Sequence, residues 1–317
     1  MLYRHDRWIW DSWPIDDGDD HHLFYLQAPR TLGDPDLRHR HASIGHAVSK
    51  DYERWIVLPD ALGPSGPPAW DDLATWTGSV VRGDTGSWHL FYTAISRTDD
   101  GRIQRIGRAD SDDLITWRRS ADRPLLEADP RWYETCELMS WREVAWRDPW
   151  VFRDPGGDGW HMLITARAVG AARNDDGVVA HARSHDLMSW TIEEPLCRPG
   201  AGFGQLEVPQ SKVIDGRPVL VFTCHPEEQT AARRAGSGDY CTWSVPSPGV
   251  LGPWDIAAAR PFTAEPDLFA APLVRRRDGG WAFVGFRNLE PKVGDGFYIV
   301  DPIPVTVDEA GYVVAAC

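Results

Sequence analysis

The pentapeptide Trp88-His-Leu-Phe-Tyr92 occurs in five versions along the chain. Each version is short, apolar and bounded by Gly, Asp or Pro, which is typical of a buried β-strand. Aligned on one apolar position, the versions follow one another at steps of 67, 72, 58 and 63 residues. The other four versions are His22-Leu-Phe-Tyr-Leu26, Trp160-His-Met-Leu-Ile164, Pro218-Val-Leu-Val-Phe222 and Trp281-Ala-Phe-Val-Gly285.

A second motif, Ser-x-Asp-(Leu/Tyr)-x-x-Trp, follows the first three versions. It spans residues 49–55, 111–117 and 184–190, and a degenerate fourth copy ends at Trp254. The short polar side chains suit a tight turn because they can bond their own backbone. We expect the Trp that ends each copy to pack between neighbouring repeats.

A repeat of about 63 residues, present five times in 317 residues, is longer than helical solenoid repeats of roughly 33–47 residues. Four strands with generous loops fit one propeller blade. We therefore predict an all-β fold, a five-bladed β-propeller with blades starting near residues 9, 74, 145, 205 and 267. No linker divides the chain, so residues 1–317 are predicted to form a single domain. Either terminus can close the ring.

The chain carries a formal charge of −14, from 47 Asp and Glu against 33 Lys and Arg. Such a surface repels phosphate backbones and anionic lipid headgroups, so we expect neither nucleic acid nor a membrane as partner. The 17 Trp residues should lie mostly in the core, with a few lining a binding surface.

The five cysteines are odd in number and lack CxxC spacing, so they indicate neither a disulfide framework nor a zinc site. Free thiols are compatible with a reducing compartment. The first residues lack the apolar core of a signal peptide, and no apolar run is long enough for a membrane helix. These features predict a cytoplasmic protein and leave its oligomeric state open.

Three of the five predicted innermost strands contain a carboxylate in an apolar or aromatic setting. They are Asp11, Asp148 and Glu207, each 12 to 14 residues before the middle of the next strand. One such residue alone could equally well cap a turn, but three at similar repeat positions favour a common site. Carboxylates in apolar clefts are costly and are usually functional. Three that converge suit acetal hydrolysis.

Four short motifs in this order resemble the fructoside-active glycoside hydrolases. Trp10-Asp-Ser-Trp-Pro14 looks like the nucleophile box of family 68, the levansucrases. Trp76-Thr-Gly-Ser79 resembles the Trp-Ser-Gly-Ser box of that family and of family 32, the invertases and fructanases. Arg147-Asp-Pro149 matches the Arg-Asp-Pro box of both, and Glu207 lies where the acid/base Glu is expected.

The resemblance implies a retaining hydrolase that cleaves β-fructofuranosides through a fructosyl-enzyme. Asp11 would attack the anomeric carbon, and Glu207 would protonate the leaving oxygen and then activate water. Asp148 would hold hydroxyls of the furanose ring. The residues expected to bind substrate or support the nucleophile are Trp10, Trp76, Ser79, Arg147 and Gln205.

The chain also departs from the families that it resembles. Gln205 and Val208 replace a carboxylate and an arginine of the Glu-x-Glu-Arg-Pro pattern of levansucrases, which help to place the sugar on the leaving-group side. The chain has no room for the C-terminal β-sandwich that is typical of family 32. No cofactor and no metal are expected, and the partner is a small carbohydrate.

Several points stay open at the level of the sequence. A fructosyltransferase would use the same intermediate. An arabinosidase or xylosidase similar to family 43 would have a similar set of carboxylates. The fourth hypothesis is a propeller that binds sugar without catalysis. The leaving group and the linkage are also undecided. Loop residues that could border the site are those of Trp141–Glu143, His225–Glu228 and Arg287–Asn288. His39, His41 and His46 are expected in a solvated loop rather than at a metal.

Overall fold

The computed structural model describes residues 1–287 and 297–316. Five four-stranded antiparallel sheets follow one another along the chain, which confirms the five-bladed β-propeller. Blade one has the strands Arg7–Asp16, His21–Pro29, Ser43–Ser49 and Ile56–Val57, and blade two has Ala74–Arg82, Trp88–Ile95, Arg105–Ser111 and Arg118–Arg119. Blade three has Trp146–Arg153, Trp160–Arg167, Gly177–Ser184 and Thr191–Glu193, and blade four has Glu207–Ile214, Arg217–Thr223, Thr242–Pro246 and Arg260–Pro261.

Blade five is less regular than the others. Its sheet has the strands Leu273–Arg275, Trp281–Phe283, Ile303–Val307 and Val313–Ala315, and a separate pair joins Leu268–Phe269 to Phe286–Arg287. The described residues include one α-helix, Ala231–Ser237, and the short 3-10 helices Arg30–Leu32, Pro35–His41, Arg97–Asp99, Pro226–Glu228 and Ile256–Ala258. No helix in this part of the chain is long and apolar enough to cross a membrane.

The Ser-x-Asp motif forms the same turn in three blades. In the blade-two copy, Asp113 accepts hydrogen bonds from the amides of Ile115 and Thr116, at 2.9 and 2.7 Å. The Trp that follows leaves its own blade: the ring of Trp117 packs edge-on against Phe24 of blade one, with 5.7 Å between centroids. Trp190 of blade three packs in the same way against Phe91 of blade two. The motif therefore joins neighbouring blades, as predicted.

The ring closes where the N-terminus meets blade five. Leu2 and Ile299 exchange two backbone hydrogen bonds, at 2.9 and 3.0 Å. The amide of Ile9 then donates to the carbonyl of Phe297 at 3.2 Å. Pairing between the first and last blades covers strand edges that would otherwise be exposed.

Each of the first four blades has a bulge in its innermost strand, where the pairing register shifts. Asp11 and Asp148 lie on the bulges of blades one and three with positive φ angles of 28° and 59°. Asp tolerates this left-handed region better than most residues, and bulges re-aim side chains. In blade four the positive φ of 47° belongs to Val208. Glu207 therefore precedes its bulge and is one position earlier than the repeat alignment predicted.

Candidate active site

The innermost strands of the propeller face its central funnel, and the candidate catalytic carboxylates lie on or next to their bulges. Asp11 is held there by Thr77 of blade two, whose hydroxyl donates to Asp11 Oδ2 at 2.9 Å. Burial raises the pKa of Asp11 from 3.8 to about 7, and the negative charges of Asp148 and Glu207 add to the rise. The Thr77 hydrogen bond and the positive charge of Arg38 oppose it. Asp11 thus lies in a partly buried site among other carboxylates.

Asp148 is the most firmly fixed of the three carboxylates. Its Oδ2 accepts hydrogen bonds from the hydroxyl of Thr165 at 2.8 Å and from the amide of Val208 at 3.1 Å. Its own amide donates to the hydroxyl of Thr93 at 2.9 Å. The side chain is 4% exposed, and burial raises its pKa although the charge of Arg147 opposes this. Contacts from blades two, three and four therefore orient this carboxylate.

Arg147 joins two of the carboxylates. One of its terminal nitrogens contacts Glu207 Oε1, and its Nε lies 3.5 Å from Asp148 Oδ2. Its other terminal nitrogen donates to Gln104 at 3.3 Å. Burial raises the pKa of Glu207, Arg147 opposes that rise, and the charge of Asp148 adds to it. Arg147 thus links Asp148 to Glu207, and Asp11 is close enough to both of these carboxylates for their charges to act on it.

One wall of the funnel is aromatic. The indole N–H of Trp76 donates to the carbonyl of His39 at 2.7 Å. The His39 ring lies edge-on to both Trp10 and Trp76, with 5.8 and 6.2 Å between centroids. The predicted substrate-binding residues Trp10 and Trp76 are therefore neighbours. His39 and His41 are exposed, as expected, whereas His46 is buried in the strand Ser43–Ser49, which corrects the expectation for that residue. No group of metal-ligating side chains occurs in the described residues.

Ser79 does not contact the nucleophile candidate, which corrects the expectation from the sequence. Its hydroxyl donates to the carbonyl of Pro149 at 2.6 Å and accepts from the amide of Val151 at 3.0 Å. It therefore supports the strand that carries Asp148. The reason is the bulge at Thr77, which leaves Thr77 to bind Asp11 and turns Ser79 towards blade three.

Gln205 lies behind the surface of the funnel. Its side chain is 1% exposed, and its Oε1 has no hydrogen-bond partner among the described residues. A direct contact between Gln205 and a bound sugar stays a prediction.

Residues outside the predicted set also act on the site from other elements. Arg38, on the helix Pro35–His41, has a side chain that is only 12% exposed. Its guanidinium lies 5.5 Å from the ring of Trp10, and its charge opposes the raised pKa of Asp11. Thr165 and Gln104 were also missed. No motif identifies these residues, because each is far in sequence from the group that it contacts.

The loops of blades three and four border the other side of the funnel. Trp141 is stacked between the guanidiniums of Arg167 and Arg173, at 4.7 and 4.6 Å from its ring. Glu228 ends the helix Pro226–Glu228, and burial together with the charge of Glu207 raises its pKa to about 8. Arg287 is occupied by ion pairs with Glu265 and Asp267, and Asn288 lies outside the described residues.

The fold is shared with fructoside-active enzymes of known structure. The inulosucrase from Halalkalicoccus jeotgali bound to kestose superposes with a TM-score of 0.77 at 21% identity, over 98% of this chain and 89% of that one. The levansucrase of Bacillus subtilis gives 0.76 at 13% identity, over 97% and 86%. The family 32 β-fructofuranosidase of Bombyx mori gives 0.70 at 19% identity, over 97% and 64%.

Relatives that are similar in sequence include sucrases and β-fructofuranosidases. The extracellular sucrase of Zymomonas mobilis is 25% identical, over 80% of this chain and 70% of its own length. β-Fructofuranosidase 1 of Zea mays is 26% identical, over 90% of this chain but only 44% of its own length. The model of the glycosyl hydrolases family 32 N-terminal domain matches residues 11–243, which include all three carboxylates. The chain therefore belongs to glycosyl hydrolase family 32 and is a glycoside hydrolase.

Proposed function

We propose that the protein is a retaining β-fructofuranosidase. Asp11 attacks the anomeric carbon of a fructosyl unit while Glu207 protonates the leaving oxygen, and Glu207 then activates the water that releases fructose. The observation that carries this proposal is the proximity of the three carboxylates: Arg147 contacts Asp148 and Glu207, and the charges of both act on Asp11.

The hydrogen bonds support this division of roles. Asp148 accepts two hydrogen bonds on one oxygen and is held by three blades, so it suits holding ring hydroxyls rather than moving to attack. Asp11 accepts a side-chain hydrogen bond from Thr77 alone among the described residues, which leaves its other oxygen available to a substrate. A nucleophile needs such an uncommitted oxygen.

The electrostatics of the site fit general acid catalysis. Burial raises the pKa of both Asp11 and Glu207, the charge of Asp148 adds to both rises, and the charge of Glu207 adds to the rise at Asp11. Such groups titrate as a cluster, in which a proton is retained near neutral pH. A retained proton is what the acid needs at the leaving oxygen.

The relatives support a fructoside as the substrate. A sucrase and a β-fructofuranosidase are among the proteins that this chain resembles, so sucrose and short fructans are the first substrates to try. A transferase is the second candidate, because the inulosucrase and levansucrase structures share the fold. We further propose a cytoplasmic site of action without nucleic-acid or membrane partners, on the basis of the acidic surface and the free thiols.

The test is product analysis with sucrose, inulin and levan oligosaccharides and aryl arabinosides. We expect free fructose, and NMR at early times should show that its anomeric configuration is that of the substrate. Longer fructans in place of fructose would assign the protein as a transferase. Release of arabinose alone would contradict the fructoside assignment, and inversion of configuration would contradict Asp11 as the nucleophile.

A further inference from the structure

The helix Pro226–Glu228 is fixed beside the strand that carries Glu207. The carbonyl of Glu228 accepts a hydrogen bond from the amide of Gly204 at 2.8 Å. The side-chain amide of Asn174 donates to the carbonyl of Glu227 at 3.2 Å. These bonds join loops of blades three and four next to the acid/base candidate, so the position of Glu228 does not depend on its own side chain.

Gly204 shows how closely these loops approach. A Cβ atom there would lie 2.9 Å from the carbonyl oxygen of Glu228, 2.9 Å from the Cα of Asn174 and 3.0 Å from the ring of Trp141. Trp141 is itself clamped between two guanidiniums. The helix is therefore packed closely against the loops that carry Asn174 and Trp141.

The Glu228 carboxylate has no hydrogen-bond or ion-pair partner among the described residues. Its side chain is half-buried, and the charges of Glu207, Arg147 and Glu143 all act on it. The other carboxylates around Arg147 are occupied: Asp148 by Thr165, Glu207 by Arg147 and Glu143 by Arg142. A half-buried carboxyl group without a protein partner has its hydrogen-bonding capacity available to a ligand, which would displace water from it.

We propose that Glu228 binds hydroxyl groups of a neutral sugar leaving group and so makes the enzyme selective for glycosyl fructosides over simple alkyl fructosides. This rests on the proposed function. A sugar hydroxyl can donate to the carboxyl group at the place where the leaving oxygen departs from Glu207. The charge of Glu143, which also acts on Glu228, makes an anionic leaving group unfavourable here.

Three fructosides with different leaving groups distinguish binding of the leaving group by Glu228 from proton transfer by Glu207. A glycosyl fructoside such as sucrose needs acid catalysis and presents leaving-group hydroxyls. Methyl β-D-fructofuranoside needs acid catalysis and presents none. 4-Nitrophenyl β-D-fructofuranoside needs neither, because nitrophenolate leaves without a proton. The variants are Glu228→Ala, Glu228→Gln as a conservative replacement, Glu227→Ala as a control on the same helix, and Glu207→Gln.

We expect Glu228→Ala to lower kcat/KM for the glycosyl fructoside by about 10-fold, as for the loss of a hydrogen bond between uncharged groups, since the raised pKa of Glu228 favours its protonated form at neutral pH. The methyl and nitrophenyl fructosides should change less than threefold, Glu228→Gln should lose less, and Glu227→Ala should be unaffected. Glu207→Gln should instead impair both the glycosyl and the methyl fructoside.

Two results would overturn the inference while leaving the proposed function intact. If Glu228→Ala lowers the rates with the glycosyl and methyl fructosides equally, Glu228 belongs to the proton-transfer machinery. If it changes none of the three, the carboxylate does not contact the leaving group. If the unmodified protein cleaves none of these fructosides, the proposed function itself fails and the inference falls with it.

Discussion

Asp11 combines a strained backbone, a partly buried side chain and a raised pKa. Replacing it with Asn keeps the shape and the tolerance for positive φ, and removes the nucleophile. We expect kcat to fall by roughly 10⁴-fold or more, as for other catalytic nucleophiles. Ligand binding, measured by calorimetry with a slowly cleaved fructoside, should persist. An active Asp11→Asn enzyme would contradict the assignment.

The same substitution should stabilise the fold in a pH-dependent way. The pKa of Asp11 is 3.8 when unfolded and about 7 when folded, so the folded state holds this proton more tightly. Stability from this group is therefore lost as pH rises from about 4 to 7. The Tm of Asp11→Asn should exceed that of the unmodified protein by roughly 2–5 °C at pH 8 and by much less at pH 5. An equal gain at both pH values would exclude this explanation.

At the scale of the element, the strand Ala74–Arg82 divides two tasks between Thr77 and Ser79. Thr77→Val removes a hydrogen bond that favours the ionised form of Asp11, so the pKa of Asp11 should rise further. The acidic limb of kcat/KM should move up by about one pH unit. Ser79→Ala removes bonds to Pro149 and Val151 instead and should lower Tm without moving that limb. The reverse pattern would restore the role that the sequence assigned to Ser79.

Two blades contain matching Asp–His–His chains. His22 and His46 of blade one are 2.9 Å apart between ring nitrogens, and so are His161 and His181 of blade three. Asp17 and Asp154 bind the outer rings of the two pairs, each at 3.2 Å.

The inner rings of these chains should make the fold sensitive to acid. Burial lowers the pKa of His46 to about 3 and that of His181 to about 4, from 6.5. Their stabilising contribution is complete above pH 6.5 and is lost as the pH falls, because the unfolded state binds the proton first. Replacing both rings by Gln should flatten the decline of Tm between pH 7 and 5. Replacing the exposed His185 should leave the slope unchanged.

Elements were easier to predict from the sequence than contacts between them. The predicted blade starts at residues 9, 74 and 145 lie within two residues of the observed strands at Arg7, Ala74 and Trp146, because alternation and turn chemistry are local. The partner of Asp11 was mispredicted because a one-residue bulge changes which side chain faces the funnel. Arg38 and Glu228 carry no motif, and only the folded ring brings them to the site.

At the scale of the whole molecule, the site exists only if the ring is closed. Asp11 comes from blade one, Thr77 from blade two, Asp148 from blade three and Glu207 from blade four. Blade five supplies none of these residues, yet it joins blade four to blade one. Its backbone pairing with the N-terminus therefore fixes the position of Asp11 relative to the other carboxylates. The side chains of the site take no part in that pairing.

This arrangement predicts that a backbone change at the N-terminus affects a distant site. Leu2 is 3% exposed, and its amide donates to the carbonyl of Ile299 at 2.9 Å. Leu2→Pro removes that donor, whereas Leu2→Val keeps it. Leu2→Pro should lower Tm by several degrees more than Leu2→Val and should speed hydrogen exchange at the Ile9 amide, which bonds across the same junction. Because Asp11 lies two residues beyond Ile9, kcat should fall in the Pro variant alone. Equal Tm values and equal exchange in the two variants would show that the ring is closed by the packing of the blades and not by this pairing.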